Sequence, residues 1–207
     1  MAARHGLRIA LVGCAVALLA VLGTRPIGSP AVEVAAADPG ERSAGFVVTG
    51  SGRDPLAVGG TAPELTGEAD STLGVTDLDG RPIRLAELRG RPTWLVFWAT
   101  WCPPCRDEFP LIADAAASPR AVAAGVQVIP ISTGEPAADV RAYADAVGVP
   151  GLVGLDPSGL VADRFRVVGL PSHYLIDAEG TIVARYFGPM TRDTMAAKLD
   201  VLLGPGA

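Results

Sequence analysis

Thr93–Ala99 (TWLVFWA) is apolar almost without a break, the pattern of a central strand buried on both faces. Val126–Ile131 predicts a second buried strand. Between them the spacing changes from strand-like to helical. Cys105, Phe109 and Ile112 fall on one face of a helix that runs to about Ala117. Pro136–Val147 predicts a helix with Pro in its first turn, an apolar stripe of Val140, Tyr143 and Val147, and Gly148 as its stop. Ser158–Phe165 predicts a short helix. Leu73–Leu85 reads as a hairpin turning at Asp79-Gly80, and His173–Asp177 with Thr181–Phe187 as another around Asp177–Gly180. Thr191 is placed to cap a last helix, with Met195, Leu199 and Leu202 facing inward. No internal repeat is present. The alternation predicts an α/β domain, a central mixed β-sheet flanked by helices with an N-terminal β-hairpin extension.

This domain is expected over residues 56–204. Ahead of it, residues 24–55 read as a flexible linker. Gly, Pro, Ala and Ser supply 20 of the 37 residues from Thr24 to Gly60, with no sustained period. Residues 1–23 form a targeting segment. Arg4 and Arg8 precede an uncharged 14-residue run from Ile9 to Leu22. The run is short beside the about 20 residues of a spanning helix and suits the h-region of a signal peptide. The small-residue sites downstream, Ser29-Pro30-Ala31 and Ala35–Ala37, lie far from it, so an uncleaved signal anchor is the other reading. Both send the domain out of the cytoplasm. Leu11-Val12-Gly13-Cys14 resembles a lipobox, but the apolar run continues past Cys14 to Leu22, which favours a chance match.

Composition narrows the chemistry. Apolar residues make up 49% and charged residues 19% of 207, enough for a packed core. The net charge of −5 comes without any Lys/Arg block, so a nucleic-acid partner is not expected. With three cysteines and two histidines, a four-ligand zinc site would use nearly all of them; neither metal nor cofactor is expected.

Cys102 and Cys105 stand where the buried strand meets the next helix. Cys-x-x-Cys at such a junction closes a disulfide across the first helical turn. Unpaired amides and the helix dipole there favour a thiolate at the first sulfur. The second, one turn on, can resolve a mixed disulfide. Pro103 sits where a missing N–H costs nothing. A structural clip normally closes a longer loop, and a zinc site wants a second Cys/His pair, so the redox reading is preferred.

Phe97-Trp-Ala-Thr-Trp-Cys-Pro-Pro-Cys-Arg-Asp-Glu-Phe-Pro110 resembles the active-site stretch of the membrane-tethered thioredoxin-like proteins of bacterial cytochrome c maturation, the ResA, CcmG and TlpA group. Gly59–Leu65 (GGTAPEL), Leu78–Gly90 (LDGRPIRLAELRG) and Val168–Gly180 (VGLPSHYLIDAEG) resemble the same group. The resemblance implies a thioredoxin fold and a thiol–disulfide oxidoreductase without a separate cofactor. It assigns attack to Cys102, resolution to Cys105 and the cis-proline to Pro171. A cis bond there would turn the Leu170 backbone towards an incoming peptide. Trp101, Pro103 and Leu170 are expected to contact substrate. Glu108 matches an acid of the group and reads either as a proton carrier for Cys105 or as a solvated surface charge. The buried acid of ordinary thioredoxins falls at Val96, which cannot titrate. Glu135 resembles another acid of the group, and reads equally as a charge at a helix start. Trp98 is expected in the core. His173 stands where a small or apolar residue is expected, and faces either the core or the site.

The resemblance implies a reductant of exported protein disulfides, such as apocytochrome c, recharged by a membrane electron donor of thiol–disulfide type. Only 69 positions separate Cys102 from Pro171, too few for the helical insertion of strongly oxidising relatives. The other reading weighed is a Sco-like copper carrier. That resemblance predicts three residues between the cysteines and a histidine several positions before the Tyr-Leu-Ile-Asp run; here there are two residues, and His173 directly precedes Tyr174.

Overall fold

The computed structural model describes residues 47–48, 54–66 and 74–204, with only the backbone of the first pair. The Ile9–Leu22 run, Cys14 and Leu73 lie outside the described residues. So does the stretch read as linker, apart from Val47–Val48 and its last two residues.

A six-stranded sheet has the order β2-β5-β4-β3-β7-β8. Its strands are β2 (Thr76–Asp77), β3 (Thr93–Trp98), β4 (Gln127–Thr133), β5 (Gly154–Asp156), β7 (Ser172–Ile176) and β8 (Ile182–Phe187). β3, β4 and β5 run parallel, while β2, β7 and β8 are antiparallel to their neighbours. β3 is buried at all six positions, as its unbroken apolar run requires of a strand covered on both faces. A separate two-stranded pair joins β1 (Val47–Val48), inside the stretch read as linker, to β6 (Gly169–Leu170).

The helices are α1 (Pro103–Ala116), α2 (Pro119–Ala123), α3 (Ala137–Val147), α4 (Leu160–Arg164) and α5 (Arg192–Leu203). Alternation along the strands sorts the core into two layers. Phe97 and Tyr174 face one way, where Phe165 packs on both at 5.3 and 5.4 Å between ring centroids. The Tyr174 hydroxyl donates to the Phe165 carbonyl at 2.6 Å. Burial pushes this phenol up to about 12, so it stays protonated and the bond persists at ordinary pH. Trp94, Val96 and Trp98 face the other way, towards α1, where Phe109 meets Trp98 edge-on at 4.8 Å.

The predicted thioredoxin-type architecture stands, with local differences. The hairpin at Asp79-Gly80 is narrow: Thr76 bridges Pro82, and by Leu85–Leu88 the chain has entered a 3-10 turn. The Asp177–Gly180 turn closes β7 and β8. Asp177 accepts from the Thr181 N–H at 2.7 Å, and Gly180 takes φ +84°, where a side chain would be strained. Thr191 caps α5 by accepting from the Thr194 N–H, and Met195, Leu199 and Leu202 are buried. In α3 the expected stripe is incomplete. Val140 is buried and Tyr143 half-buried, but Val147 is 55% exposed in the final turn, where Gly148 at φ +74° ends the helix. β5, β6 and α2 lack a counterpart in the predicted elements.

Candidate functional site

Registers bring the site together before any side chain is considered. Phe97 lies opposite Ser172 in antiparallel β7, so β7 begins where β3 ends. Trp98 lies beside Ser132 in parallel β4, so β4 ends at the same edge. Cys102, the residues before Ser172 and the loop after β4 therefore converge at the carboxyl end of the parallel strands.

Cys102 is the N-cap of α1 in extended backbone, and Pro103 and Pro104 fill the first two helical positions. Neither proline removes a donor the helix needs, and each presets φ near the helical value. Cys102 and Cys105 form a disulfide with Cα atoms 5.4 Å apart. Both residues are at most 1% exposed, whereas the neighbouring Trp101 is 53% exposed and Pro103 also lies at the surface. On reduction, Cys102 lies at the amide-rich end of a four-turn helix, which favours its thiolate.

The Leu170–Pro171 peptide bond is cis. Leu170 is opposite Val47 in the β1–β6 pair, so its backbone already partners an extended segment of the same chain. The Pro171 carbonyl accepts from Gly188 N–H at 2.8 Å.

Glu108 is 2% exposed and is not a solvated surface charge. Oε1 accepts from the Met190 N–H at 2.8 Å, just ahead of α5. Oε2 approaches Nε2 of His173 at 3.3 Å, off the line of a well-formed hydrogen bond; among the described residues neither atom has a hydrogen-bond partner. His173 is fully buried in β7 directly opposite Val96, and its Nδ1 accepts from the Trp94 indole at 3.3 Å. His173 thus faces α1 and sits across from the position where ordinary thioredoxins keep an acid. Trp98 is core, between Phe109 and Tyr143.

Glu135 is buried just after β4. Its carboxylate accepts from the Thr100 N–H at 2.8 Å, the Thr100 hydroxyl, and the Ser132 hydroxyl at 2.7 Å. It ties the three-residue approach to Cys102, Ala99–Trp101, onto the end of β4. A charge at a helix start does not describe this role. The Ser132-Thr-Gly-Glu135 sequence shows an acid after a strand, but not that Thr100 reaches it.

The chain matches the AhpC/TSA family over residues 58–185. It is 32% identical to the thiol-disulfide oxidoreductase ResA of Geobacillus thermodenitrificans over 145 residues, 70% of this chain and 78% of that protein. With ResA of Bacillus subtilis it shares 31% over 156 residues, 75% of this chain and 81% of that protein. Among solved structures, it resembles a Chlorobium tepidum protein described as a thiol:disulfide interchange protein DsbE. The TM-score is 0.59 at 29% identity, covering 72% of this chain and 99% of that one. A secreted Mycobacterium tuberculosis disulfide oxidoreductase homologous to DsbE matches with TM-score 0.51 at 27% identity, covering 59% of this chain and 93% of that one.

Proposed function

The chain belongs to the AhpC/TSA family and is a thiol–disulfide oxidoreductase, and from that premise we propose that it reduces disulfides of exported proteins, apocytochrome c among them, outside the cytoplasm. The observation that carries the reading is the Cys102–Cys105 disulfide at the strand-to-helix junction, with the cis Leu170–Pro171 segment extending from the same end of the sheet.

In the reduced protein the Cys102 thiolate attacks a substrate disulfide. The substrate S–S bond breaks, its electron pair leaves on one substrate sulfur, and that sulfur takes a proton. Cys105 then gives up its proton, with Glu108 one turn away on the same helix as acceptor. The Cys105 thiolate attacks Cys102 Sγ and releases the second substrate thiol. Two electrons have moved, and the protein is left as the disulfide seen here. A membrane donor of thiol–disulfide type restores the dithiol by the reverse exchange. The Leu170 edge suits an extended substrate segment. Val47 already lies against it as a strand partner would. Exposed Trp101 and Pro103 supply an apolar rim. The Ile9–Leu22 run carries the domain across the membrane and, if retained, tethers it there. A copper carrier would turn His173 towards the thiolates, whereas both ring nitrogens face Trp94 and Glu108.

Direction is tested with a peptide bearing Cys-x-x-Cys-His, the haem-attachment pattern of c-type cytochromes. Reduced protein mixed with the oxidised peptide is expected to emerge as the disulfide while the peptide gains two thiols. Oxidised protein is expected to leave the reduced peptide largely unchanged. Efficient oxidation of the peptide would reverse the assignment.

A further inference from the structure

Glu108 is aimed by a second buried group. We propose that His173, held in one tautomer by Trp94, is a positioning residue that presents an N–H to Glu108 and keeps Oε2 ready to take the Cys105 proton. The inference rests on the exchange mechanism above and adds to it the group that sets the state of its proton acceptor.

An indole N–H only donates. His173 Nδ1, 3.3 Å from the Trp94 indole nitrogen, must therefore be the bare nitrogen, and the ring proton lies on Nε2. Nε2 is the atom that faces Glu108 Oε2 at 3.3 Å. Glu108 Oε1 is already engaged by the Met190 N–H. The buried carboxylate thus meets a donor at each oxygen, and Oε2 is the one with a loosely held partner.

Taking the proton costs this arrangement something specific. A proton on Oε2 would meet the Nε2 proton head-on. Moving the ring proton to Nδ1 would oppose it to the indole N–H. Trp94 and His173 together therefore favour the carboxylate, the form able to accept a proton from Cys105 and then pass it on. In the step itself the Cys105 S–H bond breaks and an O–H bond forms on Oε2. The electron pair left on Cys105 sulfur makes the bond to Cys102 as the substrate thiolate departs.

On α1 the charges beside Glu108, Arg106 and Asp107, are exposed to solvent. Cys105 and Glu108 come from α1 and His173 from β7. β8 contributes Tyr186, its ring 6.3 Å from the imidazole, and α5 places Lys198 over that ring at 5.8 Å. β3 contributes Trp94, Val96 and Trp98, none of which carries a charge. With valine at position 96, Glu108 is the one buried acid on the helix that carries Cys105, and the imidazole opposite Val96 faces it.

The test is the pH dependence of single-turnover reduction of insulin by the full-length protein. Wild type and Glu108→Gln define the Glu108-dependent step. His173→Leu removes the donor, and the midpoint of that step is expected to move to higher pH. His173→Gln is expected to restore it, because one amide can accept from Trp94 and donate to Glu108. Trp94→Phe frees the tautomer and is expected to move the midpoint the same way by a smaller amount, which serves if His173→Leu folds poorly. In the Glu108→Gln background neither change should shift the profile further. Superimposed profiles for wild type and both variants, or equal shifts with and without Glu108, would overturn the proposal. So would lowered thermal stability with an unmoved midpoint. Absence of insulin reduction by the wild type would instead overturn the reductant reading on which it rests.

Discussion

With Cys105 changed to Ala, the protein will accumulate a covalent complex with its substrate that survives denaturation and dissolves on adding dithiothreitol. With Cys102 changed to Ala it will form none, and turnover in both variants will fall to the uncatalysed background. The roles follow from position. Cys102 caps α1 beside the surface residues Trp101 and Pro103. Cys105 lies one turn in, on the face that carries buried Glu108 and Phe109, and reaches a mixed disulfide only through Cys102. Without the second thiol the intermediate has no internal exit. Non-reducing electrophoresis checks this. Equal trapping by the Cys102→Ala variant would show that the roles of the two cysteines are exchanged.

The second large effect is expected at Glu135. Glu135→Leu removes the acceptor from the Thr100 N–H and from the hydroxyls of Thr100 and Ser132. The hydroxyls can rotate to other acceptors, but the backbone N–H is fixed. A buried donor left without a partner costs about 1–3 kcal/mol, and the lost bonds were to a charged group. A total of about 2–4 kcal/mol is expected from the same source, a large share of the about 5–15 kcal/mol of an ordinary domain. Denaturant unfolding of the oxidised protein measures it. Glu135→Gln keeps one acceptor oxygen and should lose less than half as much. A loss under about 0.5 kcal/mol, the ordinary surface range, would return Glu135 to a helix-start charge.

The parts of this protein legible in its sequence are those specified locally. β3 has an unbroken apolar run, α5 has Thr191 at its cap, and the second hairpin has the Asp177–Gly180 turn. The Cys-x-x-Cys pair was readable because its junction between a buried strand and a helix start is itself a local pattern. Short elements escaped for the opposite reason. β5 is three residues long and β6 two, and each exists through its neighbours rather than through a period. β1 lies in a Gly- and Ala-rich stretch whose composition predicts no structure; only its partner on β6 defines it. Side-chain pairings across sequence distance were the least visible. Arg106-Asp107-Glu108 reads as a polar surface, and only the packing of α1 on β7 shows that Glu108 is buried. His173 could be assigned to a face only once it was known to oppose Val96. Glu135 needed the parallel register of β3 and β4 to bring Thr100 within reach.

The central claim is that Cys102 and Cys105 form a reducing couple, and its reduction potential tests that most directly. The full-length protein is equilibrated in graded dithiothreitol or glutathione buffers, and the dithiol fraction is counted by thiol alkylation. A reductant of exported disulfides should titrate at or below about −200 mV, in the range of glutaredoxins and thioredoxin. A midpoint near about −120 mV, where strongly oxidising disulfide donors lie, would contradict it.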